Sequence, residues 1–224
     1  MSVNTLLGAK EIILESLALL ISLFSFGLSG LAIYLAYFRQ PALSAHVGPY
    51  IVAIYNNKGL TITVPTTVAN QAHQVGVVRR CSLTLTRHDS RQKNYFMVWD
   101  SFRKITDDGA TWVQVGTAHA IPVLGRSTKT HNIQYVWEYE SSPELLLKAG
   151  QYDFRFDFWS EQETPFASVS HEMTVSEKDA SMLQASLAQR NAQETIRRGV
   201  VYLTLDSETN RNRLLTEHEI TKLL

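Results

Sequence analysis

Cysteine is almost absent from this chain. Cys81 is the only one in 224 residues. That excludes an intramolecular disulfide framework, a CxxC redox pair, and zinc sites built on four cysteines or on two cysteines and two histidines. An excess of one charge sign is missing too. Lys and Arg number 21 and Asp and Glu 21, so no global field favours nucleic acid or anionic lipid. The histidines, at positions 46, 73, 88, 119, 131, 171 and 218, form no HxH or HxxxH pair. Such spacings would place two metal ligands on one strand face or helix turn, so no metal site or cofactor is expected. No GxSxG elbow, P-loop or GxGxxG fingerprint occurs. Cys81, His88 and Asp89 are residue types a thiol nucleophile would need. Cys81, however, alternates in register with Leu83 and Leu85, the position of a small buried apolar side chain. The expectation is that the chain is not an enzyme.

What is present first is a long apolar run. Residues 16–38 contain 23 positions without a charge, 17 of them apolar. As a helix rising about 1.5 Å per residue, the run covers roughly 35 Å, enough for a hydrocarbon core of about 30 Å. Tyr34, Tyr37, Phe38 and Arg39 form an aromatic and basic edge suited to the headgroup region, and Pro41 stops the helix. A cleaved signal peptide fits less well. The run is longer than an ordinary apolar core of a signal, and Leu43 stands where a small residue is wanted before a cleavage site. A retained anchor is expected. The flanking Lys and Arg are nearly in balance, and a short N-terminal tail with little net charge crosses easily. The free cysteine and the absence of Asn-X-Ser/Thr sequons agree with a cytoplasmic main domain.

Within the run, Ala18, Ser22, Ser25, Ser29, Ala32 and Ala36 recur at alternating spacings of four and three. They form one stripe of small residues on a helix, the pattern that lets two backbones approach. A partner helix in the membrane is expected there, either from another protein or from a second copy.

Beyond Pro41 the pattern changes to period two. Runs at residues 50–55 and 60–64 flank a turn-forming stretch containing Asn56, Asn57 and Gly59, a hairpin signal. Pro65 suggests an edge position or a bulge. Further strands are expected at 77–86, 95–99, 133–139, 151–159 and 166–175, with short runs near Trp112 and at 120–124. Residues 145–148 read as a helical turn closed by Gly150. With no long helix between them, seven or eight strands in this length fit an all-β, two-sheet sandwich at 41–175. It is preceded by the anchor at 1–40 and followed by a helix–strand–helix tail at 176–224. In the tail Ser176 is a candidate N-cap with Asp179 three residues on, Met182, Leu183 and Leu187 make an apolar stripe, and 200–205 reads as a strand. Thr216 and Glu219 form a capping box before a last helix.

The segments GPYI, LTITVPTTVAN, GVVRRCSLTL and LKAGQYDFRFDFW, following a single span, resemble bacterial membrane-anchored proteins with an immunoglobulin-like sandwich and no assigned activity. The Leu-x-x-Gly-x-Tyr-x-Phe element from Leu147 to Phe154 is similar to the penultimate strand of many such sandwiches. The likeness spans roughly residues 16–175. It implies a fold and carries over no catalytic residue.

Two surface features have competing readings. Tyr135, Trp137 and Tyr139 alternate on one strand and serve either as a core face or as a stacking platform for a ligand. Arg79, Arg80, Arg87, Arg91 and Lys93 lie in a basic stretch, while residues 138–179 are acidic. These are either solvated faces or a basic docking patch. The leading expectation is a membrane-anchored interaction or scaffolding module that binds a protein partner. The alternative is a carbohydrate- or lipid-binding sensor using the aromatic row.

Overall fold

The computed structural model describes residues 3–37, 40–90, 94–106, 112–141, 143–192 and 200–205. An unbroken helix, α1 (Val3–Tyr37), comes first. Its segment Glu15–Leu35 has a mean hydropathy of 2.1 and is long and apolar enough to cross a membrane, with none of it buried against the rest of the chain.

The remainder is mostly β. The strands are β1 (Leu43–Val47), β2 (Tyr50–Asn56), β3 (Gly59–Asn70), β4 (Gly76–Val78), β5 (Arg80–Arg87) and β6 (Asn94–Ile105). They continue with β7 (Trp112–Thr117), β8 (Ile121–Val123), β9 (Ser127–Glu138), β10 (Gly150–Trp159), β11 (Ala167–Val175) and β12 (Val201–Thr204). Ten of them form one sheet in the order β11-β10-β5-β6-β9-β3-β2-β12, with β1 added to β3 and β7 to β6; β4 and β8 make a separate ribbon. Strand β11 comes back against β1 and β12, so the sheet is nearly closed and barrel-like. The sequence leads one to expect two separate sheets. A single strand removes that separation: β6 pairs with β5 through Asn94–Val98 and with β9 through Val98–Arg103, shifting register between Trp99 and Ser101. A bulge of this kind bends a strand and lets it serve both sides of a core.

The β2–β3 hairpin forms where the turn residues stand. The Asn56 carboxamide oxygen accepts the Lys58 N–H at 2.9 Å, an Asx turn. Gly59 has φ +134°, and a Cβ there would lie 2.1 Å from the Trp137 carbonyl oxygen; only glycine fits. Pro65 is not at an edge. It lies inside β3, which pairs with β9 along its whole length. On its other side β3 pairs with β2 up to Thr63 and with β1 from Thr66. Pro65 falls in the gap between those two neighbours, where a missing N–H costs no ladder bond.

Two neighbouring strands supply much of the core. Tyr152, Phe154, Phe156 and Phe158 of β10 are all buried, as are Cys81, Leu83 and Leu85 of β5. Each large apolar side chain so placed contributes roughly 1.5–3 kcal/mol. Residues 145–148 do not form a helical turn. Leu145 and Leu147 are both buried, and a two-residue spacing suits an extended chain rather than one helix face. Tyr55 holds that chain: its hydroxyl donates to the Leu145 carbonyl and accepts the Leu147 N–H, both at 2.9 Å.

Helix α2 (Glu177–Asn191) is capped by Ser176, whose Oγ accepts the Asp179 N–H at 3.1 Å and donates to its carboxylate at 2.6 Å. Its buried face is Ala180, Leu183 and Ser186, with Leu187 partly covered; Met182 points away. The helix packs on β2, and β12 pairs with β2 as well, so this part of the tail belongs to the sheet domain. The capping box at Thr216 and Glu219 lies outside the described residues.

Candidate functional site

Of the small-residue stripe on α1, Ala18, Ser22, Ser25, Ser29 and Ala32 are exposed. Ala36 lies in the helix with its side chain outside the described set. Ser29 Oγ donates to the carbonyl of Ser25 at 2.8 Å. That hydroxyl is thereby engaged with its own helix, so the stripe offers close approach more than hydrogen bonding at this position.

The aromatic row does not make a three-ring platform. Tyr135 is 0% exposed, with its ring 6.1 Å from that of Phe156. Trp137 is partly covered by an edge contact with Tyr95 at 5.2 Å, and its Nε1 donates to the Pro143 carbonyl at 3.2 Å. Tyr139 lies beyond the end of β9 and is exposed. The row begins in the core because β9 is covered on its inner face, and its exposure rises through Trp137 to Tyr139.

Nor do the described basic residues form one free patch. Arg79 and Arg80 stand at one end of β5 and Arg87 at the other, about 24 Å apart between Arg80 and Arg87 at a strand rise of about 3.4 Å per residue. Arg79 pairs with Glu161 at 2.8 Å, and Arg80 lies over the Trp159 ring at 4.0 Å. Arg87 pairs with Asp89 at 2.8 Å and donates to the Ala149 carbonyl at 3.1 Å. Arg91 and Lys93 lie outside the described residues.

Cys81 is buried opposite Phe158 in the β5–β10 ladder. Burial pushes its thiol up to about 12, which removes the thiolate that a nucleophile requires.

The surface that the fold does assemble lies at the junction of β5, β6, β7 and β9. Phe96, Val98 and Val115 are more than half exposed. Two hollows meet at His119. One, of about 330 Å³, is lined by Phe102, Lys104, Val115 and His131 among others; the second, of about 250 Å³, by Arg79, Arg80, Phe96 and Val98. His119 and His131 pack on the Phe102 ring at 4.8 and 4.7 Å. Burial, with Lys129 and His119 nearby, holds His131 below the ordinary histidine value and favours its neutral ring, while Arg103 and Lys104 give the hollow its positive charge. Beneath it Arg103 Nε donates to the Gln134 carboxamide oxygen, which also accepts from Ser101 Oγ at 3.1 Å. The polar floor is thus tied down while the apolar rim faces water. Of this site sequence reasoning named Arg79 and Arg80 and missed the apolar rim, whose signal is the alternation of Val113 and Val115 in a segment too short to read as a paired strand.

No family model matches the chain. No curated protein matches it either. Five solved structures do. A candidate lipoprotein of Bacillus subtilis, YcdA, is 13% identical over 66% of this chain and 40% of its own, with a TM-score of 0.32. A candidate late embryogenesis abundant protein is 15% identical over 74% of this chain and 88% of its own, at 0.34. Spo0M, a sporulation control protein of Bacillus subtilis, is 7% identical over 75% and 69%, at 0.30. Likenesses of this size assign neither a fold family nor a function.

Proposed function

We propose that the chain is a membrane-anchored, non-enzymatic interaction module. In this reading α1 is a retained span, the sheet domain lies on the cytoplasmic side, and that domain binds a protein partner. The apolar rim around His119 carries the proposal. Phe96, Val98 and Val115 expose more than half of their surface beside Arg79, Arg80 and Lys104, and contiguous exposed apolar side chains ringed by charge fit a protein interface. The fitting partner presents an apolar segment flanked by carboxylates. The uncovered apolar length of α1 supports the anchor, and the raised thiol of Cys81 supports a role without covalent catalysis.

We read the sheet as an immunoglobulin-like sandwich joined along one side. Two features favour this. Tyr152 closes on Lys148, its hydroxyl donating to that carbonyl at 2.9 Å and accepting that N–H at 3.0 Å, as in the tyrosine corner of such domains. Strand β6 crosses from β5 to β9 at its bulge.

A photocrosslinking residue at Val115 of the full chain tests the proposal in membranes. A discrete protein adduct is expected from Val115 and absent when the probe stands at Tyr50. Val98→Asp is expected to abolish that adduct while leaving the melting temperature in detergent unchanged. Equal adducts from both positions, or an adduct indifferent to Val98→Asp, would overturn the reading.

A further inference from the structure

On the outer face of the sheet, far from the rim by sequence, two carboxylates stand directly opposite each other. Asp153 of β10 is the cross-strand partner of Glu172 on β11. Like charges at facing positions of an antiparallel pair repel. Among the described residues, neither carboxylate has a Lys or Arg in ion-pair contact; the only charged-group partner of Asp153 is His88, whose Nε2 lies 2.9 Å from Asp153 Oδ1. His88 belongs to the short 3-10 turn His88–Ser90 that follows β5, and β5 is the neighbour of β10 on the side away from β11. Three adjacent elements therefore each deliver one donor to the same corner. The turn is itself tethered, because Arg87 is bound to Asp89 and to the Ala149 carbonyl.

One ligand atom from each of His88, Asp153 and Glu172 lies within 4.8 Å of the other two. We propose that these three residues bind a divalent transition-metal ion of the zinc class, with water completing the coordination. The donor set is one imidazole nitrogen and two carboxylate oxygens. Imidazole favours zinc-type ions over magnesium and calcium, which prefer oxygen alone. Ligands bound at about 2.0–2.2 Å in tetrahedral array stand about 3.3 Å apart. The His88–Asp153 pair is already at that scale, and Glu172, being exposed, closes a remaining gap of at most about 1.5 Å by a rotamer change. The ion would also cancel the repulsion that the β10–β11 register imposes. Residues 88, 153 and 172 are too far apart in the chain for a spacing search to join them; only the strand register does.

The test is titration of the full chain in detergent with Zn2+ by calorimetry, and with Co2+ followed by visible absorption. A single saturable site and a rise in melting temperature on Zn2+ addition are expected. Glu172→Gln and His88→Gln should each weaken binding by more than about a hundredfold, beyond what loss of an outer hydrogen-bond partner costs a metal site, and should erase the Co2+ band. Glu172→Gln is exposed, so its metal-free melting temperature should match the parent. No saturable Zn2+ binding would overturn the proposal. So would binding of unchanged strength in both variants, which would assign the ion to other histidines.

Discussion

Strands β10 and β7 carry the same kind of local pattern and meet opposite fates. In β10 the residues Tyr152, Phe154, Phe156 and Phe158 alternate with polar ones; in β7 Val113 and Val115 alternate with Gln114 and Gly116. The aromatic side chains of β10 are all buried, whereas Val115 is 64% exposed. The difference lies in the neighbours. Strand β10 is flanked by β5 and β11 and faces the core, while among the described residues β7 pairs only with β6. Alternation says that a strand has two faces; its place in the sheet decides whether one of them is covered. An uncovered apolar face is available for binding, which is why the proposed interaction surface lies at β7 and not at the more aromatic β10.

Three measurements on the full chain in detergent break or sharpen that contrast. Phe156→Ala should lower unfolding free energy by about 3–5 kcal/mol, read from the denaturant midpoint. Val115→Ala should change it by no more than about 0.5 kcal/mol. Similar losses at both sites would mean that the β7 face is covered after all. Tyr55→Phe comes next. It strips the hydroxyl that serves the Leu145 carbonyl and the Leu147 N–H beside the core, and a loss of about 1–3 kcal/mol is expected for the groups left unsatisfied.

A pH slope probes the buried side of the contrast. Cys81, packed against β10, is raised by burial from 9.0 to about 12. An unfolded thiol ionises above about pH 9 while the folded one stays protonated, so the unfolded state binds fewer protons. The stabilisation is fully present below about pH 9 and falls by about 1.4 kcal/mol per pH unit as pH rises towards 12. Tyr135, also raised by burial, adds to the fall above about pH 10. Thermal melts from about pH 8 to about pH 11 should show the decline, and Cys81→Ala should make it shallower. A parent slope no steeper than that of Cys81→Ala would place the thiol in contact with water.

Much of the fold was legible because its causes are local. The apolar length of α1, the β2–β3 hairpin, the inward row of β10 and the Ser176 cap each depend on residues close in sequence. What the sequence left open has the opposite origin. Pro65 reads as an edge residue or a bulge until β1 and β2 are seen to divide one side of β3 between them. The aromatic row reads as a core face or a platform until β9 is seen with Tyr135 facing Phe156 across the core. The basic stretch reads as solvated faces or a docking patch until β5 is seen to carry its arginines to opposite ends, with Arg79 and Arg87 in ion pairs.

By itself, then, the sequence determined a helix apolar enough for a membrane, a mostly β domain and the faces of its longest strands, since propensity, hydropathy and turn chemistry act over a few residues. Tertiary structure alone decided that β6 joins both sides of the core in one sheet, that β7 has β6 as its one strand partner among the described residues, and that His88, Asp153 and Glu172 converge. Those outcomes rest on strand order and register. Both are set by which distant segments bury their apolar faces against each other, and no local pattern encodes that choice.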